Sequence, residues 1–142
     1  MEYIHYGHKH FEVNEFEPIR NRELFPKPFG GFWASPVNAE YGWKDWNEAE
    51  HFRECESENS FKFQLDEKAK VLRIKSVNDL EELPKAQDGF GHFVILDFEK
   101  LAEQYDAIEV TIGYDRDLYY ALYGWDCDSI LIMNPDVVIE CK

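Results

Sequence analysis

Positive charge is what this 142-residue chain has least of: 15 lysines and arginines stand against 29 aspartates and glutamates, for a formal net charge of -14. A field of that sign repels phosphate backbones, so a basic-groove reader of nucleic acid is excluded as a first reading. Cysteine is also scarce. Cys55, Cys127 and Cys141 are odd in number and widely spaced, which fits reduced thiols and not a disulfide framework or a zinc knuckle. No stretch approaches the roughly 20 apolar residues of a spanning helix, and the opening MEYIHYGHKH has no basic segment leading into an apolar run. We therefore expect a cytoplasmic protein with no membrane partner, made in a bacterial or phage-infected cell. GxSxG, P-loop and GxGxxG motifs are missing, and no cysteine has the surroundings of a reactive nucleophile, which turns the reading away from classical hydrolases, kinases and Rossmann enzymes.

What is present is aromatic. Hydrophobic residues make up 44% of the chain and aromatics 16%, with 4 Trp, 8 Tyr and 11 Phe, ample for one core. The length suits a single domain over residues 1–142. Residues 2–6 read as a strand closed by Gly7. Residues 11–30, with Pro18, Pro26 and Pro28, read as a long loop with one helical turn. Gly30-Gly31 leads a strand over 32–35, and the glycines allow the backbone to pass close to another group. Trp43, Trp46, Ala49 and Phe52 recur at helical spacing over 43–55. Residues 61–65 and 71–75 read as a hairpin or two consecutive strands, 77–83 as a short helix ended by Pro84, and 87–91 as a turn. In the last third, 93–96 reads as a buried strand, 98–105 as an amphipathic helix and 108–112 as a half-buried strand. A helix capped by Asp115 follows, and 129–133 and 137–139 close the chain as a strand and its neighbour. The pattern is that of an α+β domain on an antiparallel or mixed sheet.

Three features carry chemistry. His5 sits inside the first strand beside Gly7, where a ring nitrogen can meet a ligand hydroxyl or simply be satisfied in the core; His8 and His10 follow, but no Cys, Asp or Glu spacing completes a metal set. Trp33 and Ser35 stand two apart on the glycine-led strand, so an indole and a hydroxyl share one face, to meet a planar heterocycle or to fill the core. Asp126 and Asp128 stand at the mouth of the apolar strand, sharing a face if the strand begins there.

In this order the features resemble the ADP-ribosyltransferases, the NAD-dependent mono-ADP-ribosyltransferase superfamily. Ile4-His5-Tyr6-Gly7 is similar to the family's His-Gly strand with Tyr6 inserted, and Gly31-Phe32-Trp33-Ala34-Ser35 to its glycine-aromatic strand with Trp33 where tyrosine is usual. Tyr105-Asp106-Ala107-Ile108 resembles the Tyr-Asp-Gly-Ile that precedes the final strands, and the run from Asp128 to Asp136 resembles the closing acid-strand-turn segment. The family acid is normally glutamate; here Asp126 or Asp128 stands in, one methylene shorter, and a strict register sets Ser129 at the position.

The resemblance implies split antiparallel or mixed sheets with flanking helices, and NAD as co-substrate in the cleft between them. It implies that His5, with Tyr6 and Gly7, holds the adenosine-side ribose, that Trp33 stacks on nicotinamide and that Ser35 supports the ring or the acid. Asp128, or Asp126 beside it, binds the nicotinamide ribose and stabilises the charge that develops as nicotinamide leaves. The acceptor of ADP-ribose is then a macromolecule, best a basic protein given the charge of -14. From the charge alone, the other expectation is a non-enzymatic acidic interaction protein, an inhibitor or nucleic-acid mimic, that fills a basic partner's groove.

Overall fold

The computed structural model describes residues 1–23, 25–50, 57–86, 93–113, 115–122 and 124–141. Its strands are β1 (Tyr3–Tyr6), β2 (Phe32–Pro36), β3 (Ser60–Leu65), β4 (Val71–Ile74), β5 (Ala107–Val110), β6 (Ser129–Ile132) and β7 (Val138–Glu140), and its helices α1 (Trp43–Glu50), α2 (Phe98–Gln104) and α3 (Arg116–Ala121). The strands form one mixed sheet in the order β4-β5-β6-β2-β1-β3-β7, antiparallel except between β4 and β5. The α+β class expected from the sequence is the class adopted. Among the described residues no helix is long and apolar enough to cross a membrane.

Strand β6 is the spine of the sheet. All four of its residues are buried, and alternation sends Ile130 and Ile132 to one face and Leu131 to the other. Leu131 joins a core with Ile108, Val110, Leu118 and Trp125 under the helices, while Ile130 and Ile132 join Tyr3, Phe61 and Phe63. Each such side chain contributes about 1.5–3 kcal/mol by leaving water. Caps fix the helices over this core: Asp97 accepts from Lys100 N, and Asp115 from Leu118 N at 3.1 Å.

Several sequence expectations change here. Strands β3 and β4 are consecutive but do not form a hairpin; β3 pairs with β1 and β7, whereas β4 lies at the opposite edge beside β5. Asp106 directs this crossing, since its carboxylate accepts from Lys70 N at 2.8 Å and its amide donates to Lys70 O. Residues 93–96 bury Ile95 and Leu96 but form only an isolated bridge, Lys85 with Leu96, because nearby amides find partners outside any strand, such as Ala121 O at the end of α3 and Pro84 O. Strand β5 is buried throughout and not half-buried: Glu109 points inward and accepts from the Tyr3 hydroxyl, whose pKa burial raises far above its usual value. The last two strands are not neighbours, for β6 lies between β5 and β2 while β7 pairs with β3 at the far edge. The helix expected over 43–55 runs to Glu50, and its remainder, with Cys55, lies outside the described residues, as does the turn at 87–91. Residues 77–83 hold a short 3-10 turn, Val77–Leu80, closed by a Ser76/Asp79 capping box.

The feature that positions a site is a parting of the sheet. Strands β1 and β2 pair only through Tyr3 with Pro36 and Ile4 with Ser35; beyond that point β1 continues along β3 and β2 along β6. Glycine makes the parting possible on the β2 side. At Gly31, φ is +66° and a Cβ would stand 2.5 Å from Ile132 O; at Gly30, φ is +83° and a Cβ would meet Pro18 O at 2.1 Å.

Candidate functional site

The parting opens on a cleft of about 790 Å³ lined in part by His5, Tyr6, Arg22, Lys27, Trp33 and Asp126. Strand β1 supplies the first two, the loop before β2 the next two, β2 the tryptophan and the segment before β6 the acid. Residues far apart in the chain thus meet because β1 and β2 diverge while β6 stays beside β2.

On the β1 side, His5 bridges the gap. Its Nδ1 lies 2.6 Å from Trp33 O and its Nε2 lies 3.0 Å from His8 Nδ1; His8 Nε2 in turn lies 2.9 Å from a Glu15 carboxylate oxygen. A carbonyl and a carboxylate only accept. His5 Nδ1 and His8 Nε2 are therefore the donors in these two contacts. Burial is the main cause that lowers the His5 pKa. His10 turns away to Glu140 at 3.2 Å, and among the described residues no group of three or more His, Cys, Asp or Glu has the arrangement of a metal site. Gly7 ends the strand with φ +119°, its amide donating to Asn59 O at 2.8 Å.

On the β2 side, Trp33 is half-buried and packs edge-on against Trp125 with ring centroids 4.6 Å apart. Trp125 is itself buried, stacks on Phe98 and donates from Nε1 to Pro26 O at 3.0 Å. Trp33 is thus core on one edge and cleft on another. The Lys27 ammonium lies 4.8 Å from the Trp33 ring centroid and 5.9 Å from that of Trp43. Burial lowers the Lys27 pKa, and the Asp126 charge is the largest of the influences that oppose this.

The two aspartates part company. Strand β6 begins at Ser129, so 126–128 is not extended ladder and the two carboxylates do not share a face. Asp126 is half-buried in the lining of the cleft. Asp128 is 8% exposed; its Oδ1 accepts from Ile112 N at 2.9 Å and from Gly113 N at 3.2 Å, closing the end of β5. Ser35 is equally committed, donating to Asp128 O and accepting from Trp43 N, both at 2.8 Å, so that it fixes the start of α1 against the β6 entry. Cys127 between the acids is buried, and burial pushes its thiol up to about 12, which makes it a poor nucleophile.

The loop over 11–30 contributes unequally. Asn21 caps α2, its Oδ1 accepting from Phe98 N at 2.8 Å, and Arg20 closes a bridge with Phe29. Arg22 reaches the cleft, stacked over Phe25 and Phe29. Lys27 and Trp43 are among the cleft residues that sequence reasoning missed. The signals were Pro26-Lys27-Pro28, a lysine on a stiffened stem, and the half-buried Trp43/Trp46 pair, which stacks at 5.3 Å on the side of α1 that faces the cleft. No family model, curated protein or solved structure matches this chain.

Proposed function

We propose that the chain is an NAD-dependent mono-ADP-ribosyltransferase-like enzyme that moves ADP-ribose to a macromolecular acceptor with a basic surface, with Asp126 as its catalytic acid. The observation that carries this reading is that His5, Trp33 and Asp126, chosen from sequence as separate features, line one cleft at the parting of the sheet. The strands form one sheet and not the split sheets expected of that fold, but β1 and β2 share only two residue pairs, which is where a split would fall. A volume of about 790 Å³ is within the range of dinucleotide and drug-sized ligands. The side chains also suit NAD: an indole for the flat ring, Arg22 for the pyrophosphate in an otherwise acidic molecule, and His5 for a ribose hydroxyl.

NAD supplies a glycosidic bond whose breaking leaves positive charge on the ribose. Asp126 provides a fixed negative charge on that side of the cleft, held beside rings that exclude water. Trp33 orients the ring, and its own position is set by Trp125 behind it. His5 keeps one tautomer because Nδ1 is tied to Trp33 O, so Nε2 is the atom that accepts toward the cleft once His8 yields. Asp128 and Ser35 act as positioning residues, holding the segment that carries Asp126. The test is incubation with labelled NAD in a bacterial lysate. Wild type labels an acceptor and the Asp126→Asn variant does so roughly a hundredfold less. Absence of both label and nicotinamide release in every lysate would remove the enzyme reading, and salt-sensitive capture of a basic protein, unchanged by Asp126→Asn, would put the acidic interaction protein in its place.

A further inference from the structure

We propose that Lys27 is an internal ligand of the cleft: its ammonium fills a cation site built by Trp33, Trp43 and Asp126, and the same site accepts a free organic monocation of the pyridinium class when the lysine side chain swings out. The cation site rests on geometry alone; only its identification with the nicotinamide end of NAD rests on the proposed function.

A lysine ammonium ordinarily stays in water while its stem lies along the protein. Lys27 does the reverse. Its Nζ stands within cation–π reach of two indoles from different elements, 4.8 Å from the Trp33 centroid on β2 and 5.9 Å from the Trp43 centroid on α1. Lys27, both indoles and Asp126 line one recess with Gly124 and Cys127, and all of these but Cys127 also line the larger cleft. Desolvation lowers the lysine's pKa, so the ammonium is held inward against the pull of water by ring faces and by the Asp126 charge. Two indole faces beside one carboxylate are chemistry for a cation, and the protein's own cation marks the place.

The stem is built to stay while the tip moves. Pro26 and Pro28 flank the lysine and are buried, Pro26 O accepts from Trp125 Nε1 at 3.0 Å, and the nearby Gly31 keeps β2 tight against β6. Vacating the site therefore needs only side-chain rotation, a ps–ns event when the tip reaches solvent. A flat pyridinium gains what the ammonium had, the ring faces and the carboxylate, and adds stacking area that a methylene stem lacks.

The experiment titrates 1-methylnicotinamide, a cation, and nicotinamide, its neutral counterpart, against wild type, Lys27→Ala and Lys27→Met, following tryptophan fluorescence. Both substitutions should bind the cation about tenfold tighter than wild type, the scale of a desolvated cation–π contact, and change neutral nicotinamide by less than about twofold. Lys27→Arg should bind like wild type, and adding Asp126→Asn to Lys27→Ala should erase the preference for the cation. Lys27→Met controls for folding, since it keeps the stem. The proposal is overturned if neither neutral variant binds the cation more tightly, or if cation and neutral ring gain equally. Nicotinamide release from NAD is read separately. Release in wild type without a cation gain in the variants removes the cation site and leaves the transferase reading; the cation gain without release does the opposite.

Discussion

The two walls of the cleft are held by different kinds of force. The β1 wall depends on a chain of polar contacts, His5 to His8 to Glu15, whose outer members are 49% and 63% exposed. The β2 wall depends on packing: Trp33 leans on buried Trp125, which stacks on Phe98, and Ser35 and Asp128 tie the strand to α1 and the end of β5. Exposed ion pairs are worth about 0–1 kcal/mol, buried aromatic packing several times that. The β2 wall is therefore preorganised and suits the reacting end of a ligand, whereas the β1 wall can yield and suits the end that is merely held.

That contrast can be broken at several points. Gly31→Ala strikes the β2 wall hardest, because its Cβ would stand 2.5 Å from Ile132 O at a φ of +66°; a loss of about 3 kcal/mol or more is expected in denaturant unfolding. Asp128→Ala should cost on the order of 2–3 kcal/mol by orphaning the Ile112 amide, and residual nicotinamide release should track the folded fraction. On the β1 wall, His8→Ala should cost less than about 1 kcal/mol while altering the affinity for NAD; a large loss of stability there would contradict the comparison.

The smallest effect is a slope. Lys27 has a folded pKa below its usual 10.5, so the unfolded chain binds more protons in the window between the two values. Stability of wild type relative to Lys27→Met should accordingly rise as pH climbs through that window toward 10.5, as the buried charge is lost. A flat difference across the window would mean the ammonium is not desolvated.

The same contrast explains what the sequence made legible. Helices α2 and α3 could be read because the apolar period lies within one short segment, as with Phe98 and Leu101, joined in α3 by the cap Asp115 before Leu118. Strand β6 could be read because a strand buried on both faces is a plain apolar run. Pairing could not. Whether 61–65 meets 71–74 or β1 and β7 is decided by Asp106 and Val137, far along the chain. The apolar run at 93–96 gave burial correctly and strand wrongly, since burial is a side-chain matter and ladder formation needs a backbone partner. At the site, His5 and Trp33 were legible as strand residues beside glycines. Which of Asp126 and Asp128 lines the cleft was not, because it turns on β6 starting at Ser129 and on the Ile112 amide claiming one carboxylate. Lys27 was hidden because its flanking prolines signal a stiff stem but not the direction in which the lysine turns.

Nicotinamide release from NAD by Asp126→Asn and Asp128→Asn, each normalised to its folded fraction, tests the central claim most directly. The arrangement of the cleft predicts that Asp126→Asn falls roughly a hundredfold or more while folded Asp128→Asn keeps most of its rate. A folded Asp128→Asn without activity beside a fully active Asp126→Asn would contradict it.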